Sequence, residues 1–245
     1  MGDGIHAYVL GGSGSVGQAL LQELISNNAV AEIVAFNRSH LSDLALTAAS
    51  KLREIFVPEM KAEALAARVM QTASADKATS IVGFSTLGVG AKTAKLTIDE
   101  HRAVDVVLNQ AFARGLQKSG KSTHLVFMSA VGANHLANAL GSGAAGLSRY
   151  NRVKGESEEA VKNTGLSCVS VVRPAMIIGS RHTPILAEKI LSALDFFFPG
   201  RLKSIRTDEI AKAMVQLGLC QPSQSMVYHY PEMQKLIAAS KAVAG

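Results

Sequence analysis

The chain has no tryptophan and only two cysteines among its 245 residues. Two thiols cannot build a disulfide framework, and no Cys/His cluster has the spacing of a metal site, so no metal is expected. Cys168 falls inside a predicted buried strand and Cys220 near a helix end, which reads as reduced packing. Aromatic residues are scarce at 5%, and the basic residues behind the formal charge of +6 are scattered along the chain. A nucleic-acid groove needs clustered cations interleaved with stacking rings. Nucleic acid is therefore not an expected partner, and the charge reads as a solvated basic surface that also suits an anionic cofactor.

Long apolar runs are missing too. The longest stretch without Lys, Arg, Asp or Glu, Ser122 to Ser148, is broken by Asn134, His135, Asn138 and several glycines, so no membrane span is expected. No Pro/Ser-rich linker, charge block or internal repeat divides the chain. One α/β domain over residues 1–245 is expected, with 1–174 as cofactor-binding core and 175–245 as a small region covering the substrate. The first strand begins near Ile5, which leaves no room for a signal or transit peptide. Myristoylation after Met1-Gly2 fails because His6 stands where Ser or Thr is needed. The expectation is a cytoplasmic protein.

What the sequence does contain is alternation. Apolar, β-branched runs at Ile5–Leu10, Glu32–Phe36, Leu52–Val57, Ser80–Phe84, His124–Met128 and Ser167–Val172 read as strands. Helical patterns separate or follow them at Val16–Asn28, His40–Ala49, Ala62–Ala73, Thr97–Lys118 and Leu147–Asn163. Right-handed crossovers of this kind give a parallel, doubly wound sheet, the Rossmann fold. After Pro174 the alternation breaks down. Helices near Pro184–Leu194, Thr207–Leu219 and Pro231–Ala242 and a short strand near Met226–His229 are left to cover the carboxyl edge of the sheet.

Two motifs carry chemistry. The first is Gly11-Gly12-Ser13-Gly14-Ser15-Val16-Gly17, placed between the first strand and the first helix. Positions without Cβ let backbone approach a pyrophosphate, whose charge then sits on a helix N-terminus, and Ser13 and Ser15 add hydroxyl donors. At the end of the second strand an NAD enzyme places Asp or Glu on the ribose hydroxyls. This chain has Asn37, Arg38 and Ser39 there. A neutral side chain removes repulsion and an arginine can fork onto a 2′-phosphate, so NADP (NADPH) is expected over NAD.

The second motif is Tyr150-Asn151-Arg152-Val153-Lys154 on a predicted helix, with Ser129 at the end of the preceding strand. Tyr150 and Lys154 lie one turn apart on one helix face. An ammonium beside a phenol favours phenolate and tunes it for acid–base work. Ser129 is placed to hydrogen-bond a substrate carbonyl.

With both motifs in place the chain resembles the short-chain dehydrogenase/reductase superfamily. More narrowly it is similar to the atypical, NADP-binding branch that includes the Tat-interactive protein and its oxidoreductase relatives. The resemblance runs over nearly the whole chain through Gly11–Gly17, Asn37-Arg38, Thr86-Leu87-Gly88, Tyr150–Lys154 with Gly155-Glu156, and Val172-Arg173-Pro174. It implies that Leu87 and Gly88 line the adenosine–ribose side and that Pro174 and Ile177 join the cofactor set, Ile177 near the nicotinamide. It also implies that Lys154 binds the nicotinamide ribose, Tyr150 protonates substrate and Ser129 orients it.

Two departures stand out. Ala130–Leu147 is longer and richer in Gly and Ala than such relatives have, and reads either as a substrate lid or as a disordered insertion. Where relatives carry a proton-relay asparagine early in the fourth helix, this chain has Asp99-Glu100-His101-Arg102, and Asn109 lies further along.

The leading functional reading is an NADP-dependent oxidoreductase acting on a small carbonyl or alcohol substrate. A regulatory or redox-sensing NADP(H)-binding protein with little turnover is the alternative. A nucleotide-sugar epimerase or dehydratase ranks last, because the tail after Pro174 is short. Arg181 is a candidate phosphate or carboxylate contact, and Phe196-Phe197-Phe198 reads as packing or a pocket wall. The fourth and fifth helices are long enough to pair two copies as a homodimer.

Overall fold

A computed structural model describes residues 4–41, 50–138, 144–179 and 200–244. The first βαβ unit is β1 (Ile5–Leu10), α1 (Ser15–Ser26) and β2 (Val30–Asn37). There follow β3 (Leu52–Phe56), α2 (Ala62–Ser74), β4 (Ser80–Ser85), α3 (Ile98–Arg102), α4 (Asn109–Lys118), β5 (Ser122–Met128), α5 (Ala144–Lys162) and β6 (Cys168–Val172). The strands form one sheet in the order β3-β2-β1-β4-β5-β6, every pairing parallel, as the alternation predicts.

Both faces of the sheet are buried, so neighbouring strand residues feed opposite cores. Ala7 and Val9 of β1 join Ile33, Phe84 and Val126 on the face covered by α1, where Leu20, Leu21 and Leu24 pack. Tyr8 and Leu10 join Val34, Phe36 and Phe127 on the other face, against Leu65 and Val69 of α2 and Phe112 and Leu116 of α4.

The tail adds more than a cover. The helix α6 (Thr207–Cys220) inserts Ile210, Met214 and Leu217 into the core beside α1. The strand β9 (Met226–Tyr228) extends the main sheet as a seventh strand parallel to β6, and α7 (Tyr230–Ala244) ends the chain. Between β6 and α6, β7 (Ile177–Ile178) and β8 (Ile205–Arg206) form a separate two-stranded parallel ladder that sequence periodicity did not anticipate. Two-residue strands carry no readable period. The expected helices His40–Ala49, beyond Leu41, and Pro184–Leu194 lie outside the described residues, as do Arg181 and Phe196–Phe198.

The expected helix Thr97–Lys118 is present but not uniform. Thr97 caps it in a reciprocal box with Glu100. Residues Ala103–Leu108 then widen into a π-helical segment. The cause is local: the Asn109 amide bonds back to the carbonyl oxygen of Asp105 at 2.7 Å, and the Ser157 hydroxyl of α5 donates to the same oxygen. Side chains inserted into the ladder displace its regular backbone bonds. The widened turn aims Asp105 toward α5.

Candidate functional site

The glycine turn is built for close approach. Gly11 has φ of 89°, and a Cβ there would lie 2.6 Å from the Leu87 amide nitrogen. A Cβ on Gly17 would lie 2.0 Å from the Gly11 carbonyl oxygen. Gly14 caps α1 without a side-chain bond and donates its own N–H to Gly11 O at 3.1 Å. Val16 is buried beneath the turn, while Ser13 and Gly14 are exposed above it and Ser15 is half-buried. The N-cap of α1 is thus exposed and its first turn carries no acidic side chain, as an anion site requires.

A groove of about 560 Å³ opens over this turn. Gly11, Ser13, Gly14, Asn37, Arg38, Leu87, Gly88 and Val89 all line it, joined by Val104 from the π-helical segment. Ser15, Val16, Gly17 and Ser39 are not among its lining residues. At its rim the structure revises the simple picture of Asn37. The residue is buried and its amide donates to Glu54 Oε2 at 2.8 Å, the same oxygen that accepts the Leu41 N–H at 3.0 Å. Asn37 thus fixes the chain after β2 and brings the carboxylate of Glu54, from the neighbouring strand, close to the groove. Arg38 is exposed, and Glu59 lines the same groove.

Of the second group of expected residues, Ser129 and Pro174 lie at the carboxyl ends of β5 and β6. Ser129 continues β5 by donating its N–H to Val172 O at 2.8 Å, and its buried hydroxyl has no partner among the described residues. Pro174 is buried and its carbonyl accepts the Val131 N–H, while Asn134 N–H bonds Asn151 O. These bonds hold the start of the Ala130–Leu147 segment to the end of β6 and to α5; residues 139–143 lie outside the described set. Ile177 sits half-buried in β7.

Lys154 is buried. Its Nζ lies 3.2 Å from Asp105 Oδ1 and 3.5 Å from Met128 O, and 5.6 Å from the centre of the Phe127 ring. Asp105 Oδ2 accepts the Val89 N–H at 2.9 Å. Burial drives the Asp105 carboxyl upward, but the Lys154 charge, the His101 imidazole and the Val89 N–H together hold it below the ordinary carboxylate value. Tyr150 stacks on His101 with ring centres 5.9 Å apart and planes 19° apart. His101 is fully buried, its Nε2 3.6 Å from Asp105 Oδ2.

Sequence reasoning missed Asp105 and His101. Asn109, too far along the helix to be read as a relay asparagine, pins Ser85, the Leu87 carbonyl and the π-helical turn. An Asp four residues before an Asn on a helix was the available signal.

Residues 11–218 match the NAD(P)H-binding family. The chain belongs to that family. This NAD(P)H-binding chain is 28% identical over 224 residues to "Protein fmp52, mitochondrial" of Emericella nidulans, with 87% of each sequence covered. It is 27% identical to the protein of the same name in Aspergillus fumigatus, again with 87% of each covered. Among solved structures it is similar to a short-chain dehydrogenase from Burkholderia cenocepacia in complex with NADP. There the TM-score is 0.64 and the identity 14%, covering 99% of this chain and 96% of that one. The Bordetella bronchiseptica enzyme WbmH in complex with NAD+ gives a TM-score of 0.64 at 13% identity, covering 98% and 82%.

These findings correct one expectation. The cytoplasmic assignment fails, because the curated relatives are all named mitochondrial. That assignment rested on the few residues before Ile5, and the point at which a sequence begins does not report a protein's address. The NAD(P)H-binding chain also brings His6, Glu32 and Asp76 within 4.8 Å of one another at the far end of the sheet. Arg53 and Tyr8 already engage Glu32 and Asp76 there. No helix among the described residues is long and apolar enough to cross a membrane.

Proposed function

We propose that the chain is an NADP(H)-dependent oxidoreductase of the short-chain dehydrogenase/reductase type, acting on a small carbonyl or alcohol. The observation that carries this reading is the pairing of a cofactor groove with Ser129, Tyr150 and Lys154 on the adjacent strand end and helix. The glycine turn fits a dinucleotide because its two tightest positions tolerate no Cβ and Gly14, the N-cap of α1, lines the groove. When bound, the nicotinamide supplies or accepts the hydride.

The chain's own residues would do the rest. The unpartnered Ser129 hydroxyl would orient the substrate oxygen, and the Tyr150 phenol would give it a proton or take one from it. Lys154, held as an ammonium, would bind ribose hydroxyls. Holding these groups together makes the transfer effectively intramolecular. Arg38 on the groove supports NADP over NAD. The quoted motifs from Gly11 to Pro174 support the atypical branch that includes the Tat-interactive protein, and one continuous domain. By its relatives' names the setting is mitochondrial. Val107 and Leu147, exposed on the helical side, support pairing of two copies through that face.

The test titrates NADPH and NADH against wild type and Arg38→Ala, then screens carbonyl compounds for turnover with wild type and Tyr150→Phe. Arg38→Ala should weaken NADPH by about tenfold or more and leave NADH unchanged, the loss of one charge-assisted contact. Tyr150→Phe should abolish turnover while keeping cofactor binding. Full turnover by Tyr150→Phe would refute the role of the phenol. Tight NADPH binding without turnover of any carbonyl would favour a regulatory, redox-sensing protein.

A further inference from the structure

Lys154 has several neighbours that bear on its charge. Tyr150 and Glu158 flank it on its own helix, Asp105 faces it from the π-helical run with His101 of α3 against the far oxygen of that carboxylate, and Met128 O and the Phe127 ring face it from β5. Burial weighs most against its ammonium. The Asp105 charge, helped by Tyr150 and Glu158, outweighs burial and leaves Lys154 above the ordinary lysine value.

Asp105 itself is buried, and its two oxygens point in different directions. Oδ1 meets Lys154 Nζ at 3.2 Å, and Oδ2 meets the Val89 N–H at 2.9 Å. Gly88, one residue earlier, would carry a Cβ only 3.0 Å from Oδ1. Gly88 and Val89 both line the cofactor groove. The π-helical turn that aims Asp105 this way is fixed by Asn109 and by Ser157 of α5, three residues beyond Lys154.

We infer that Asp105 is a positioning residue for cofactor binding, which locks Lys154 as a cation in a dry pocket and ties it to the Gly88-Val89 wall of the groove. This rests on the reading that Lys154 meets the nicotinamide cofactor. It assigns to a carboxylate on the widened helix the support that other short-chain enzymes are expected to draw from an asparagine. A carboxylate differs from an amide in a measurable way, because it fixes a proton on its partner. Wild-type Lys154 stays charged through alkaline pH. With Asp105→Asn, burial acts without its main opponent, and Lys154 loses its proton as pH rises within the assay range.

The experiment measures NADPH affinity by nicotinamide fluorescence between pH 6.5 and 9.5, with thermal melting of each protein. It uses wild type, Asp105→Asn, Lys154→Met and the double variant. Wild-type affinity should stay within about twofold across the range. Asp105→Asn should bind nearly as wild type at pH 6.5 and lose about tenfold by pH 9.5, the difference between a charged and a neutral donor. Lys154→Met should bind weakly at every pH, and adding Asp105→Asn to it should bring no pH dependence back.

A merely structural Asp105 would lower the melting temperature and leave the pH profile flat, which would overturn the inference. If Asp105→Asn gives no cooperative melt, Asp105→Ser, which leaves room for a water, is read by the same two outcomes. Binding with the expected profile but no turnover would sink the oxidoreductase reading and spare this one. A wild type that binds no nicotinamide nucleotide would overturn both.

Discussion

Replacing Gly17 by Ala tests the glycine turn where it is tightest. The new methyl would sit 2.0 Å from the Gly11 carbonyl oxygen and 2.9 Å from Gly12 Cα, both backbone atoms. No rotamer relieves such a clash, so the turn must open and carry the start of α1 with it. Overpacking typically costs about 1–3 kcal/mol, and a contact with backbone belongs at the upper end. For a chain of this size about 3 kcal/mol lowers the melting temperature by roughly 6–12 °C. NADPH affinity should fall as well, because the start of α1 moves with the turn. Gly14→Ala is the control. Its φ of −74° and ψ of 166° suit any residue, and its Cβ would meet only Gly11 O, at 3.5 Å. It should melt as wild type yet bind NADPH about tenfold more weakly, since the methyl stands in the space a pyrophosphate needs. Calorimetry and fluorescence titration read the two effects separately. A Gly17→Ala protein with wild-type melting and affinity would refute the turn geometry, and a Gly14→Ala protein with wild-type affinity would move the phosphates elsewhere.

Two further outcomes concern stability. His124 is buried in β5, with Nε2 2.9 Å from Ser170 Oγ, and burial pulls it from 6.5 down to about 4. The folded state therefore needs it neutral, so stability is intact above pH 6.5 and is lost as pH falls toward 4, by about 3 kcal/mol in all. Denaturant unfolding of His124→Gln should lack that loss; an unchanged acid profile would assign the sensitivity to other groups. Arg173 forks onto Glu158, a side chain only 2% exposed, at 2.8 and 2.7 Å. Arg173→Met should cost about 2 kcal/mol by removing the fork and leaving that carboxylate to Lys162 Nζ alone, 3.6 Å away, and adding Glu158→Gln should recover most of it; an unchanged melting temperature in the single variant would show the pair to be dispensable.

The sheet was legible because most of its strands are buried on both faces and read as short, mainly apolar runs between helical patterns, from Ile5–Leu10 to Ser167–Val172. The groove residues were legible for a different reason: glycine, neutral and basic residues stand at fixed offsets from strand ends, and offsets survive without knowing the packing. What escaped were features made by contacts between distant segments. Asp105 looks like any surface acid on an amphipathic helix until Asn109 and Ser157 widen the turn and bring it to Lys154. Asn37 reads as a neutral substitute for an acid, whereas Glu54, seventeen residues on, supplies a carboxylate beside it through the β2–β3 pairing. The seventh strand was read as a short isolated run because its partner, β6, lies more than fifty residues earlier.

That seventh strand has a consequence for how the molecule is made. Until Met226–Tyr228 arrive, β6 offers Ser170, Val171 and Val172 as an unpaired rim, with Arg173 N–H awaiting Tyr228 O. A ribosome delivers those residues only after the other six strands of the sheet. Nascent or prematurely terminated chains thus carry a sticky, strand-ready border that could recruit other chains. Cutting the gene after Cys220 would leave the groove's own residues in place and still yield a protein prone to precipitate.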